Sequence, residues 1–75
     1  MKPGSKVVLN LKTVEPFVAR YHSKNGLKYG IIAKEYEYDI EYWVVEWYNE
    51  NNYEVTARAY TEKELELYPL TYEIY

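Results

Sequence analysis

Residues 41–48, EYWVVEWY, constrain the fold more than any other stretch of this chain. Nearly every residue there is aromatic or β-branched, the composition that pleated strands favour. Trp43, Val45 and Trp47 share one face by the two-residue period, and Tyr42, Val44 and Tyr48 share the other. A strand that is apolar on both faces reads as central in its sheet. Two tryptophans two positions apart can bury about 400 Å² together. In a chain of 75 residues they are the expected centre of the core, the alternative being that one of them lines a ligand groove.

The remaining segments read as short strands around this one. Lys6–Leu11 is a first strand, with Val7, Leu9 and Leu11 on one face and Val8 on the other. Pro16 breaks the pattern, so Thr13–Pro16 is expected as a turn, an edge or a bulge. Phe17, Val18 and Ala19 read as an extended arm, and Arg20–Lys28 as a polar loop. Asn25-Gly26 is a tight-turn signal, which makes Phe17–Tyr21 and Leu27–Ile32 the two arms of a hairpin. The next strand spans Lys28 to Tyr36, where Gly30 marks a bulge or a close approach of another backbone.

A turn near Tyr38-Asp39 leads into the aromatic strand, and Asn49–Asn52 is a loop after it. In Tyr53–Tyr60, Tyr53, Val55, Ala57 and Ala59 alternate with Glu54, Thr56 and Arg58, the pattern of a half-buried fourth strand. Thr61 and Glu64 have capping-box spacing, but Pro69 leaves room only for a single 3₁₀ turn. Leu65 and Leu67 then form a short fifth strand. The tail after Pro69 is expected to fray, to add an edge strand, or to pair with a second copy.

Five short strands, one 3₁₀ turn before the last and no amphipathic helix predict an all-β fold, a small closed or nearly closed barrel. The expected organisation is one domain over residues 1–75, with a core of about residues 5–68 and a C-terminal tail, 69–75. So small a core needs dense packing, which eleven tyrosines, two tryptophans and one phenylalanine supply. There is no cysteine to staple the fold, which suits a reducing, cytoplasmic compartment. The N-terminal run MKPGSKVVLNLK is broken by Asn10 and Lys12 and reads as neither a signal peptide nor a membrane span.

Four pieces of the chain carry a resemblance: PGSKVVL (3–9), YGIIAKEY (29–36), YWVVEWY (42–48) and AYTEKELEL (59–67). Together they resemble small SH3-like barrels of the KOW and Tudor type, including short barrels encoded by bacteriophages. The resemblance implies a five-stranded SH3-like barrel and a phage accessory protein. The Ala-Leu-Tyr-Asp-Tyr and Pro-Ser-Asn-Tyr-Val segments of signalling SH3 domains are absent. Gly30 leads into Glu35, Glu37 and Asp39, where a ribosomal KOW module is basic. The resemblance therefore speaks to fold, and fold does not fix function.

Catalysis finds little support in the residues. Without cysteine there is no Cys/His nucleophile pair, and His22, the one histidine, lacks the orienting acid of a triad beside Ser23. It is expected as an exposed loop residue. No calcium-loop spacing is present, and no cofactor or metal is expected. The expected function is non-enzymatic binding.

Charge divides the chain. Residues 1–34 hold seven Lys/Arg and one acid, Glu15, whereas residues 35–75 hold eleven acids and two bases, Arg58 and Lys63. Such asymmetry points to charged partners. Tyrosines in excess of what the core can bury must reach the surface, where they offer apolar area and a polar tip. Tyr36, Tyr38, Tyr48, Tyr68 and Tyr72 are the candidates. Tyr36, Tyr38, Asp39, Glu41 and Tyr48 form the expected protein-binding set, suited to a basic or DNA-binding protein partner. Glu35, Glu37, Asp39 and Glu41, if continuously extended, would space carboxylates about 7 Å apart and imitate a nucleic-acid backbone. The alternative is nucleic-acid binding through the basic Arg20–Lys28 loop. There Arg20, Lys24 and Lys28 would hold phosphates and Tyr21 or Tyr29 would stack on a base. No membrane partner is expected, and the protein is expected as a monomer or weak dimer.

Overall fold

The aromatic stretch lies at the heart of the sheet. In a computed structural model, which describes residues 1–68, it forms β3 (Tyr42–Tyr48). β1 (Lys6–Leu9), α1 (Pro16–Lys24) and β2 (Tyr29–Glu35) precede it. β4 (Glu54–Thr61), a 3₁₀ turn (Glu62–Glu64) and β5 (Leu65–Leu67) follow. The five strands form one antiparallel sheet in the order β4-β3-β2-β1-β5. Expectations for the tail after Pro69, Tyr72 included, lie outside the described residues.

The sheet is rolled. Five flat strands would hold β4 and β5 about 19 Å apart. Only the 3₁₀ turn separates Thr61 from Leu65, and four peptide steps span at most about 14 Å. The edges are thus drawn toward each other, yet β4 and β5 share no ladder and the sheet stays open. Val7, Ile32, Val45, Trp47, Tyr60 and Leu65 fill the concave side, with Met1, Leu9, Val18, Leu27 and Trp43 packed around them. Trp47 and Val45 are core residues as expected, while Trp43 is half-buried.

Gly30 owes its identity to the close approach of side chains, not of another backbone. It sits opposite Val7 and Trp47, and a Cβ there would run into Val45 Cγ1 and come within 3.1 Å of the Trp47 indole. The bulge in β2 falls instead at Ala33, between Ile32 and Lys34. β1 ends at Leu9 rather than Leu11. The Asn10 N–H donates to the Glu64 carbonyl (2.8 Å), and the Asn10 side chain accepts from the Lys12 N–H (3.1 Å), turning the chain away.

Two expectations are corrected here. Residues 16–24 are helical, so the fold is mostly β with one helix, and the Phe17–Tyr21 arm and the Arg20–Lys28 loop do not exist as such. Pro16 stands at the first helical turn, where its missing N–H costs nothing. Gly26, at φ 67°, terminates the helix. Its N–H bonds the Ser23 carbonyl (3.2 Å) and the Leu27 N–H bonds that of His22 (3.0 Å), a Schellman cap. The Asn-Gly signal is therefore a helix stop and not a hairpin turn.

The second correction concerns β4. The register Trp43↔Tyr60, Val45↔Arg58 and Trp47↔Thr56 puts Thr56, Arg58 and Tyr60 on the core side of this edge strand. A bulge at Val55 shifts the register before Thr56. Tyr53, Val55 and Ala57 are consequently exposed, and Tyr60 is the buried residue of the strand.

Candidate functional site: an acidic, aromatic turn

The β2–β3 connection, residues 36–41, gathers most of the expected protein-binding residues. The Tyr36 N–H bonds the Tyr42 carbonyl (3.0 Å), closing the loop, and inside it Asp39 N–H reaches Tyr36 O (3.3 Å) and Tyr42 N–H reaches Asp39 O (3.0 Å). The Asp39 carboxylate accepts the Glu41 N–H at 2.9 Å, a side-chain turn closure of the kind aspartate favours. These bends break the row Glu35, Glu37, Asp39, Glu41, so the carboxylates do not repeat along one extended face. All four remain exposed.

Aromatic packing holds the turn on its stem. Tyr36 is half-buried and meets the Tyr38 ring edge-on (centroids 5.5 Å) and the Tyr42 ring at 6.3 Å. Tyr38 is nevertheless 78% exposed, and Ile40, two residues on, is 89% exposed. Beneath Ile40 runs a groove lined by Ile40, Glu41, Trp43, Thr61, Glu62 and Lys63. Its far wall is the 3₁₀ turn. That turn is pinned where the capping-box spacing places it, with the Glu64 carboxylate accepting the Thr61 N–H (2.8 Å) and hydroxyl (3.0 Å). The site is thus two exposed side chains, Tyr38 and Ile40, set among acids, beside a groove that Trp43 helps to line. Ile40, Trp43 and Glu62 were not among the expected site residues. Trp43 reads as core from its alternation, and only the pairing of β3 with β4 brings Thr61 and Glu62 beside it.

Tyr48 stands apart from this group, at the other end of β3 and on the opposite face from Trp47. Its ring stacks on Tyr29 (5.2 Å, 8° between planes), whose hydroxyl donates to the Asn52 side chain at 2.8 Å. Lys6 Nζ lies 4.4 Å from the Tyr29 ring centre and 5.1 Å from that of Tyr68. Partial burial, with the nearby Glu46 and Glu54 carboxylates, pushes the Tyr48 hydroxyl above its ordinary range.

The basic residues are displayed by a helix, not a loop. Arg20 and Lys24 are exposed one turn apart on α1, and Lys28 is exposed beyond its cap. Tyr21 is half-buried, with the Arg58 guanidinium 4.6 Å over its ring. One face of the ring expected to stack on a base is therefore already covered.

His22 corrects the expectation of an exposed loop residue: it is 5% exposed. Its Nε2 lies 2.6 Å from the Tyr60 hydroxyl, and its ring meets Trp47 at 4.4 Å and 83°. Burial, with Arg58 nearby, lowers its pKa to about 4, and burial raises that of Tyr60 to about 12. The four-residue spacing of Val18 and His22 was the available signal for a helix face turned inward. The Trp47 Nε1 has no hydrogen-bond acceptor.

Among the described residues no cluster of three or more His, Cys, Asp or Glu is placed to hold a metal ion. No helix there is long and apolar enough to cross a membrane. Comparison with protein-family models, curated proteins and solved structures returns no match.

Proposed function

We propose that this protein is a non-enzymatic binding module that engages a protein partner through the turn 36–41 and the groove beneath it. One observation carries the reading. Tyr38 and Ile40, at 78% and 89% exposure, stand two residues apart in a turn whose other residues include Glu37, Asp39 and Glu41. Apolar side chains held out among charges are the anatomy of an interface core with its polar rim. The acids select a partner surface that is basic, such as that of a DNA-binding protein. The SH3-like barrel remains the architectural reading: the strand order, the rolled sheet and the 3₁₀ turn joining its edges support it, and α1 is an elaboration of the β1–β2 connection. A phage accessory role acting on a host protein, in the cytoplasm, belongs to the same proposal through the resemblance.

A second reading, nucleic-acid contact through Arg20, Lys24 and Lys28, draws support from their exposure beside one another. Capture from a bacterial lysate, with and without nuclease, separates the two. A retained protein that survives nuclease supports the first reading. Loss of everything retained upon nuclease supports the second and ends the first.

A further inference from the structure

The molecule carries a second groove at α1, and its character is the converse of the turn's. Phe17, Val18 and Tyr21 of α1 face Ala59 and Tyr60 of β4 across a cleft of about 360 Å³, with Arg58 and Glu64 at its margins. Phe17 is 63% exposed beside this cleft, an unusual place for a phenylalanine. Arg20 and Lys24 stand three residues after Phe17 and Tyr21, on the same side of the helix. Arg58 adds a third cation, with its guanidinium 4.6 Å over the Tyr21 ring. Of the nearby acids, Glu64 is engaged by Thr61 and Glu15 precedes the helix. The cleft lining is apolar apart from Arg58 and Glu64, and Arg20 and Lys24 add positive charge beside it on the exposed side of α1.

The turn offers the matching shape and charge. Its sequence EYDIE alternates acids with Tyr38 and Ile40. A cleft of this size takes one or two large side chains, being at the small end of the range for ligand sites, about 300–1,000 Å³.

We propose that the turn Glu37–Glu41 of one copy docks into the α1–β4 cleft of a second copy, so that the chain associates with itself head to tail. Tyr38 or Ile40 enters the cleft between Phe17 and Tyr60, and Glu37, Asp39 and Glu41 face Arg20, Lys24 and Arg58. Because the two surfaces differ, the contact is heterologous: a pair of copies retains one free turn and one free cleft, and association continues with concentration unless a ring closes. The inference rests on the reading of the turn as a binding surface but not on any other partner, so a failed lysate capture leaves it standing.

Sedimentation velocity on the full chain tests it. The weight-average mass of wild type is expected to rise above 9.1 kDa with concentration at low ionic strength, and the rise to shrink at about 0.5 M salt. A turn variant, Y38A/I40A, and a helix variant, R20E/K24E, are each expected to associate at least about tenfold more weakly, with unchanged far-UV circular dichroism. Mixed together, the two variants recover a 1:1 complex, since the helix variant keeps its turn and the turn variant keeps its cleft. A wild-type protein that stays at 9.1 kDa across the concentration range at low salt overturns the proposal. So does association that both variants leave unchanged, because it must then use another surface.

Discussion

The Nε2 of His22 and the hydroxyl of Tyr60 lie 2.6 Å apart, and that bond ties α1 to β4. His22 is the one fully buried side chain of the helix. It therefore decides how a polar, nine-residue segment stays seated on an aromatic core. Isolated helices of this length are not stable in water, so α1 depends on this contact and on Val18.

Stability should fall with acid through His22. Its folded pKa, about 4, lies below the ordinary 6.5, so the unfolded chain takes up the proton first as pH drops. The contribution is whole above pH 6.5 and declines until about pH 4, by about 3 kcal/mol in all. Urea unfolding at several pH values checks this. The H22F variant should lose that part of the slope, and carboxylate titration alone should remain.

Gly26 and Gly30 should respond differently to alanine. At Gly26 a Cβ meets open space, so G26A costs only the left-handed backbone, about 1 kcal/mol. At Gly30 the Cβ meets Val45 and Trp47, and G30A should cost about 1–3 kcal/mol through overpacking. Urea midpoints of the two variants give the comparison.

The two tryptophans should separate by accessibility. Trp47 is 1% exposed, whereas Trp43 is half-buried and lines the groove beneath Ile40. In single-tryptophan variants, W47F and W43F, acrylamide should quench Trp43 strongly and Trp47 weakly. Replacing Trp47 by alanine should cost about 3–5 kcal/mol.

Much of this fold is legible in the sequence where one signal has one meaning. The aromatic alternation of residues 42–48 specifies β3, and Thr61 with Glu64 marks the 3₁₀ turn. The helix is not legible in this way, because both its markers have two meanings. Pro16 interrupts a strand or opens a helix, and Asn25-Gly26 turns a hairpin or stops a helix. In β4, small alanines on one parity and Thr, Arg and Tyr on the other leave the buried face undecided until pairing with β3 fixes it. The turn 36–41 is visible as a site because its acids and tyrosines are local in sequence. Glu62 joins it only through long-range pairing, Trp43 is hidden by an alternation that reads as core, and Tyr48 leaves it because seven residues of strand carry it to the other end.

The most direct test of the binding function compares three proteins in one nuclease-treated lysate capture: wild type, Y38A/I40A and R20E/K24E. Substitutions at such exposed positions should shift stability by no more than about 0.5 kcal/mol, so any difference reports binding. The account predicts a protein retained by wild type and by R20E/K24E and lost from Y38A/I40A. Equal retention by wild type and Y38A/I40A would contradict it.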